Sequence, residues 1–508
     1  MTETARPTGP TDPAGVLAPP QRAALRLATV GVVSLVTMVA FESMAVATAM
    51  PDAAADLGGV RGYGLAFSLF LTTSLFGTVV SGPWADRVGP RQPLLVGIVA
   101  FVGGLLVCTT ALSFGALLVG RAVSGAGGGL IVVALYVVVA RVYPADAQPR
   151  VFSWISTAWV LPAVVGPPVA GLLTEHLTWR LVFGLVPLVV VLPLVTLWPR
   201  LPHGPAPTAS GPGPADADAA LVARHDADRG ADQGADDVPG IGARERLLRG
   251  ALLATSAALL QAGLQGATLL GVPAAVTAVL GGAGVLASLP GLVPPGVLRV
   301  SRGVPSLVVA RLLLAAAFFG AEAFVPLMLV AERGWGVSLA GASLTSSAIG
   351  WAAGSWLQGH ARLPVPRHLL VGAGGGVLGV AVGLLALTPW PQAPGWSVAA
   401  VWTLGGFGMG AAISAISVLT LQLSRDGEEG RNSGAVQLGD ALGGVLGIGA
   451  SGAVFAHGHT PGVAEPGLYS LIWLVLAPLA LLVGVVAVRM REDDAPEVVH
   501  RLGRPGVG

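Results

Sequence analysis

Between residues 27 and 490 the sequence offers one apolar run after another, each near the ~20 residues that a helix needs to cross a hydrocarbon core. The runs are 27–50, 64–84, 94–113, 115–140, 151–174 and 181–199, then 250–270 and 273–297. Six more follow at 304–331, 337–358, 368–388, 395–423, 432–456 and 467–490. Inside a bilayer a backbone must satisfy its own polar groups, so runs of this length are expected as helices. The fold class expected is therefore an all-α membrane protein with about fourteen crossings. Composition agrees, because only 11% of residues are charged against about 25% in soluble domains. The 73 glycines suit helices that approach one another closely.

A net charge of +1 gives no reason to expect a nucleic-acid partner. The single Cys108 lies within an apolar run, so no intramolecular disulfide is available. No Cys and His stand at metal-ligand spacing, and no cofactor is called for. Arg22 and Arg26, the apolar stretch and Ala47-Thr48-Ala49 imitate a signal peptide. Glu42 interrupts that stretch and many further runs follow, so it is read as the first helix.

The chain divides into a disordered N-tail at 1–26, six helices at 27–199 and a polar linker at 200–248. A two-helix insert at 249–297, six more helices at 298–490 and a C-tail at 491–508 complete it. The linker is rich in Asp, Ala, Gly and Pro, a composition that buries too little apolar surface to fold. Arginines set the orientation. With the N-terminus inside, eighteen fall on inner flanks, among them Arg87, Arg91, Arg249, Arg299 and Arg489. Only Arg61, Arg180 and Arg333 fall outside. Both termini and the linker are thus expected in the cytoplasm, with the chain in a bacterial inner membrane. Arg249 and Arg299 both count as inner, so 250–297 must cross twice, turning near Gly271-Val272-Pro273.

The loop after the second run reads Gly82-Pro83-Trp84-Ala85-Asp86-Arg87-Val88-Gly89-Pro90-Arg91. It resembles the G-x-L-a-D-r-x-G-r-k loop of the major facilitator superfamily, although Trp84 and Pro90 depart from that pattern. Gly120-Arg121-Ala122-Val123-Ser124-Gly125 is similar to the family's R-x-x-q-G, with Ser124 in place of Gln. Gly166-Pro167-Pro168-Val169-Ala170-Gly171 resembles its antiporter motif G-x-x-x-G-P-x-x-G-G, with Pro162 and Ala170 replacing glycines. Trp179-Arg180 and Gln437-Leu438-Gly439-Asp440-Ala441-Leu442-Gly443 resemble segments of the fourteen-helix drug:proton antiporter branch. The resemblance implies a major facilitator fold of two six-helix bundles plus a two-helix insert. It further implies a gating latch of Gly82, Asp86, Arg87, Gly89 and Arg91, and an export role for Gly166, Pro167 and Gly171. Arg121 would assist proton transfer or hold a carboxylate partner; plain anchoring at the interface is the alternative.

Read from the residues alone, Glu42, Glu322 and Asp440 are acids inside apolar runs. Such acids default to a functional role, because an unpaired carboxylate in a low dielectric favours its protonated form. Glu42 and Glu322 sit at similar depths of the first and ninth runs, and both are expected to face a central cavity. Ser347 and Trp351 on one polar stripe, with Ser417 and Gln437, are candidate cavity lining; interhelical hydrogen bonds are the other reading. The function expected is proton-coupled export of small amphipathic or cationic molecules by a monomer whose partners are substrate, protons and lipid. Export of an endogenous lipid, metabolite or antibiotic is an alternative, and a transport-inactive sensor or scaffold is another. A membrane enzyme would need converging nucleophile, base or metal ligands, and the eight histidines lie scattered in tails and loops.

Overall fold

The structure, a computed structural model, describes residues 19–144, 147–201, 243–266, 272–360, 365–425 and 428–490. The first eighteen residues, most of the linker, Gly271 and the C-tail lie outside that set, as do the readings made for them.

The described chain is all-helical. In chain order the helices are α1 Pro19–Asp56, α2 Tyr63–Val88, α3 Arg91–Thr109, α4 Phe114–Val142 and α5 Gln148–His176. Next come α6 Arg180–Val189, α7 Val191–Leu197, α8 Ala243–Leu264 and α9 Ala274–Ser288. The rest are α10 Val304–Glu322, α11 Val325–Ala331, α12 Val337–His360, α13 Arg367–Leu385, α14 Ser397–Gln422, α15 Glu429–Gly458 and α16 Pro466–Ala487. Eleven spans among the described residues are long and apolar enough to cross a membrane, with α10 and α11 counted together. The chain is a multi-pass membrane protein.

Prolines explain where helices depart from the apolar windows. Pro193 cannot donate to the Val189 carbonyl four residues back, and the sixth run accordingly breaks at Val190 into α6 and α7. Pro290, Pro294 and Pro295 confine the eighth run to the 15 residues of α9, which at ~1.5 Å per residue fall short of a ~30 Å core. α12 has the length, 24 residues, but its six Ser and Thr keep it out of the eleven. Two boundaries also shift. Pro19 and Pro20 favour the first turn of a helix, so α1 begins inside the segment read as N-tail. α8 begins at Ala243, inside the linker as read, where Glu245 pairs with Arg249 one turn on (Nη2–Oε1 2.6 Å).

Small residues decide which helices meet. On α4, Gly120 and Gly127 lie against α3 at Gly104 and Gly97, while Gly125 and Gly129 lie against the α2 backbone at Phe70 and Ser74. On α15, Gly443 and Gly447 face Leu312 and Ala316 of α10, and on α14, Gly406 and Gly410 face Ser347 and Trp351 of α12. Side chains at these seams would hold the backbones apart. The helices sort into α1–α7 and α10–α16, which meet chiefly where α5 packs on α12 and α2 on α15. The pair α8–α9 leans on that second seam. Leu253 and Ala257 of α8 share a buried cluster with Leu75 of α2 and Leu442 and Val445 of α15.

Candidate functional site

Glu42 lies mid-helix in α1 and is fully buried, at 0% exposure. A lone charge there would be untenable in an apolar core, and α4 supplies its partner. Arg121, 2% exposed, gives Nη1 to Glu42 Oε1. Arg121 Nε donates to the Ala66 carbonyl of α2 at 2.8 Å, and the guanidinium lies 4.4 Å over the Phe70 ring. Arg121 therefore ties α1, α2 and α4 together and does not reach for the interface. Glu42 Oε2 is left without a hydrogen-bond partner.

Asp440 of α15 is also paired. Arg311 Nε of α10 stands 2.8 Å from Asp440 Oδ1, with the N–H aimed away from hydrogen-bond geometry. Arg311 was not among the residues singled out from the sequence. Its signal was present, since it is a lone arginine within the run 304–331.

Glu322 is the exception. It ends α10, where Pro326 withholds the N–H that would bond the Glu322 carbonyl, and the helix restarts at Val325. The carboxylate accepts from Ser347 Oγ of α12 at 3.2 Å. The Trp402 indole N–H of α14 faces the same carboxylate without completing a hydrogen bond. No cation pairs with Glu322 among the described residues. An aromatic wall stands beside it: Phe318 stacks on Trp402 with centroids 5.0 Å apart and meets Trp351 edge-on at 5.3 Å. Glu42 and Glu322 therefore share depth in the sequence but not surroundings. Glu42 is sealed against arginine, whereas Glu322 is partly exposed and held by a hydroxyl.

The polar stripes are largely absorbed by backbone. Ser355 Oγ donates to the Gly410 carbonyl across α12–α14 at 3.3 Å, and exposed Ser417 donates to Ile413 in its own helix. Gln437 is exposed, one turn from Asp440.

The segment 166–171 joins the two sets of helices. Pro168 leaves the Val164 carbonyl without its helical donor, and Thr345 Oγ1 of α12 takes it at 3.1 Å. Gly171 abuts the Ser338 backbone, and Glu175 Oε2 accepts the Ser338 N–H at 3.2 Å. Gly166 does not face the opposite set; it lies against Phe41, Met44 and Ala45 of α1. Pro167 meets α12 through its carbonyl, beside Gly341. At this same end Tyr63 of α2 packs on Phe324 with centroids 5.3 Å apart, and Gly64 abuts Gly452 of α15.

In the loop after α2, Gly89 holds φ +90°, open to glycine at little cost. Nothing crowds Gly82. Arg87 is exposed, and Arg91 stacks 4.2 Å over the Trp198 ring. Arg141 Nη2 donates to the Ala85 carbonyl at 3.2 Å, holding the ends of α2 and α4 together. The Asp86 side chain lies outside the description. Trp179 Nε1 and Arg180 Nη1 both donate to Asp56 Oδ2, at 3.1 and 3.0 Å, fixing the start of α6 to the end of α1.

The fold is shared with known transporters. A bacterial homologue of the human lysosomal transporter Spinster, in an inward-facing and unoccupied conformation, superposes over 94% of this chain and 100% of that one. The TM-score is 0.61 at 14% identity. A POT family transporter in complex with a thioalcohol-conjugated peptide matches over 92% and 95%, with a TM-score of 0.60 at 14% identity. In sequence, a probable multidrug-efflux transporter of Mycobacterium tuberculosis is 31% identical over 143 residues, 28% of this chain and 30% of the relative. Multidrug resistance protein 3 of Bacillus subtilis is 24% identical over 163 residues, 32% of each chain. An MFS transporter of the fungus Phoma is 29% identical over 151 residues, 29% of this chain and 25% of the relative. These matches thus span at most about a third of the relatives' own length. The profile of the Major Facilitator Superfamily matches residues 32–402, and the chain belongs to that family.

Proposed function

We propose that the chain is a proton-coupled antiporter that exports small amphipathic or cationic organic molecules, with Glu322 as the group that exchanges its proton for substrate. The observation that carries this reading is the contrast among the three membrane acids. Glu42 and Asp440 each stand beside an arginine, whereas Glu322 accepts from the Ser347 hydroxyl, faces the Trp402 indole N–H and has no cation beside it among the described residues. Protonating a paired carboxylate strands a buried arginine, and breaking a buried pair costs about 3–5 kcal/mol. Protonating Glu322 strands no cation and only turns the charge-assisted hydrogen bond from Ser347 into a neutral one, a loss of about 1 kcal/mol. The aromatic wall of Phe318, Trp351 and Trp402 suits an amphipathic cation, which gains from a ring face as well as from a carboxylate. The multidrug-efflux relative of Mycobacterium tuberculosis supports the direction of transport, efflux. In this reading α5 and α12 close one end of the pathway, and the Asp86 loop latches the other in the alternate state.

The direct check is uptake of a substrate panel into inverted vesicles. Cations should accumulate while the lumen is acidic, and accumulation should collapse when a protonophore is added. Equal uptake without a gradient would remove proton coupling. Export of an endogenous lipid, metabolite or antibiotic would show as uptake confined to that class.

The same reading places fourteen crossings in a bacterial inner membrane, with both termini and residues 200–248 in the cytoplasm. The motive is the arginine asymmetry. In a Cys108→Ala background, His225→Cys and Thr460→Cys should label from opposite sides of the membrane. Labelling from one side would overturn the count.

A further inference from the structure

Glu175 sits where its own helix disfavours it. It is the last residue but one of α5, at the end where the helix dipole repels an acid. Asp52 of α1, of like charge, lies within electrostatic reach of it. Both penalties arise within α1–α7, and what offsets them comes from the other set of helices. α12 starts behind Gly336, whose carbonyl accepts the Leu339 and Ala340 N–H groups at 3.1 and 3.0 Å. A glycine there has no side-chain oxygen to cap the turn, which leaves the Ser338 N–H to a partner from elsewhere. Glu175 Oε2 accepts it at 3.2 Å. A carboxylate of one set thus caps the first turn of a 24-residue helix in the other, at the end where the dipole favours an acid.

Among the described residues no ion pair joins α1–α7 to α10–α16. The other contacts of α5 with α12 described above, Thr345 on the Val164 carbonyl and Gly171 on Ser338, involve no charge. The Glu175 contact is therefore where charge acts across this seam. It is also reversible. Glu175 is exposed, so water takes the place of the Ser338 N–H once α12 moves away. A buried charge such as Arg121 could not change partners in that way without being stranded.

We propose that Glu175 is a positioning residue of the transport cycle, latching α5 to α12 while this end of the molecule is closed and releasing α12 when it opens. The inference rests on the carrier reading above, in which this end, opposite the Asp86 loop, opens and closes. Glu175 neither carries the coupled proton nor touches substrate. It biases the equilibrium between two states, because its contact with α12 exists in one of them only.

The test follows the distance between the two sets at this end, by pulsed electron spin resonance on the full chain. In a Cys108→Ala background, Arg61→Cys before α2 and Trp396→Cys before α14 carry the labels, both at exposed positions. A closed and an open population are expected. Glu175→Ala should raise the open-to-closed ratio about two- to fivefold, the range for one acid at a helix N-terminus. Adding Gly336→Asp then gives α12 a cap of its own. A side-chain carbon at Gly336 would lie 3.0 Å from Glu175 Oε1, so the space is free once Glu175 is alanine. Any loss in thermal midpoint should then be recovered, while the open fraction stays raised, because the new acid belongs to α12 itself. A closed fraction restored by Gly336→Asp would make Glu175 a helix cap only and overturn the latch. Two populations that Glu175→Ala leaves unmoved overturn it as well, and spare the carrier reading. A single distance at any pH, with or without tetraphenylphosphonium, overturns both.

Discussion

Arg121→Ala is expected to remove most of the folded protein from the membrane. Three helices converge on this side chain, through the Glu42 carboxylate of α1, the Ala66 carbonyl of α2 and its own place on α4. Truncation would leave Glu42, at 0% exposure, without its cation. Removing one partner of a buried pair costs about 3–5 kcal/mol, a large fraction of the 5–15 kcal/mol typical of whole-domain stability. Glu42→Gln should be milder, because Arg121 keeps the Ala66 carbonyl and the face of Phe70. The double change Glu42→Gln/Arg121→Gln should recover part of the loss, since neither site is then charged. Thermal midpoints in detergent, followed by size-exclusion chromatography, measure all three. A single Arg121→Ala variant as stable as the unaltered protein would mean that the pair contributes nothing to the fold.

Glu322→Gln is expected to do the opposite, leaving the fold while disabling transport. The amide still accepts from Ser347 and keeps the shape of the carboxyl group, so abundance should stay near normal. A glutamine cannot release a proton, and it offers a cation no charge. Coupling between two ligands is typically worth about 1–3 kcal/mol, or roughly 5- to 150-fold. Proton-driven uptake of a cationic substrate should fall within or beyond that range. In the unaltered protein, affinity for a cation should weaken as pH falls, because protons and cation compete for one carboxylate. In the variant that dependence should flatten. A neutral substrate should bind both proteins alike. Normal exchange at a normal pH profile in Glu322→Gln would contradict the assignment.

The helices were legible because hydropathy over ~20 residues reports the solvent a segment needs, and eleven of the expected crossings meet that standard in the structure. Their interruptions were legible only in part. Pro326 and Pro193 stand in plain sight in the sequence, but whether a proline kinks a helix or ends it depends on what replaces the lost hydrogen bond. At Pro168 a threonine from α12 does so, and α5 continues. The pairings were not legible. Glu42 and Arg121 are 79 residues apart, and hydropathy says nothing about which helices stand side by side. That is decided by small-residue seams such as Gly104 on Gly120, whose partners are read only in three dimensions. Arg311 went unremarked for the same reason. An arginine in an apolar run signals a partner, but not that the partner is Asp440. Similar depth in the first and ninth runs did not reveal that Glu42 stands beside an arginine while Glu322 is held by a hydroxyl.

The central claim, that substrate and proton compete for Glu322, is tested most directly by proton release on binding. Purified protein in weak buffer with a pH-sensitive dye is titrated with a lipophilic cation. The unaltered protein and Glu42→Gln should both release protons as the cation binds, and Glu322→Gln should release none. Undiminished release from Glu322→Gln, or its disappearance only in Glu42→Gln, would contradict the claim and move the exchange to the Glu42–Arg121 pair.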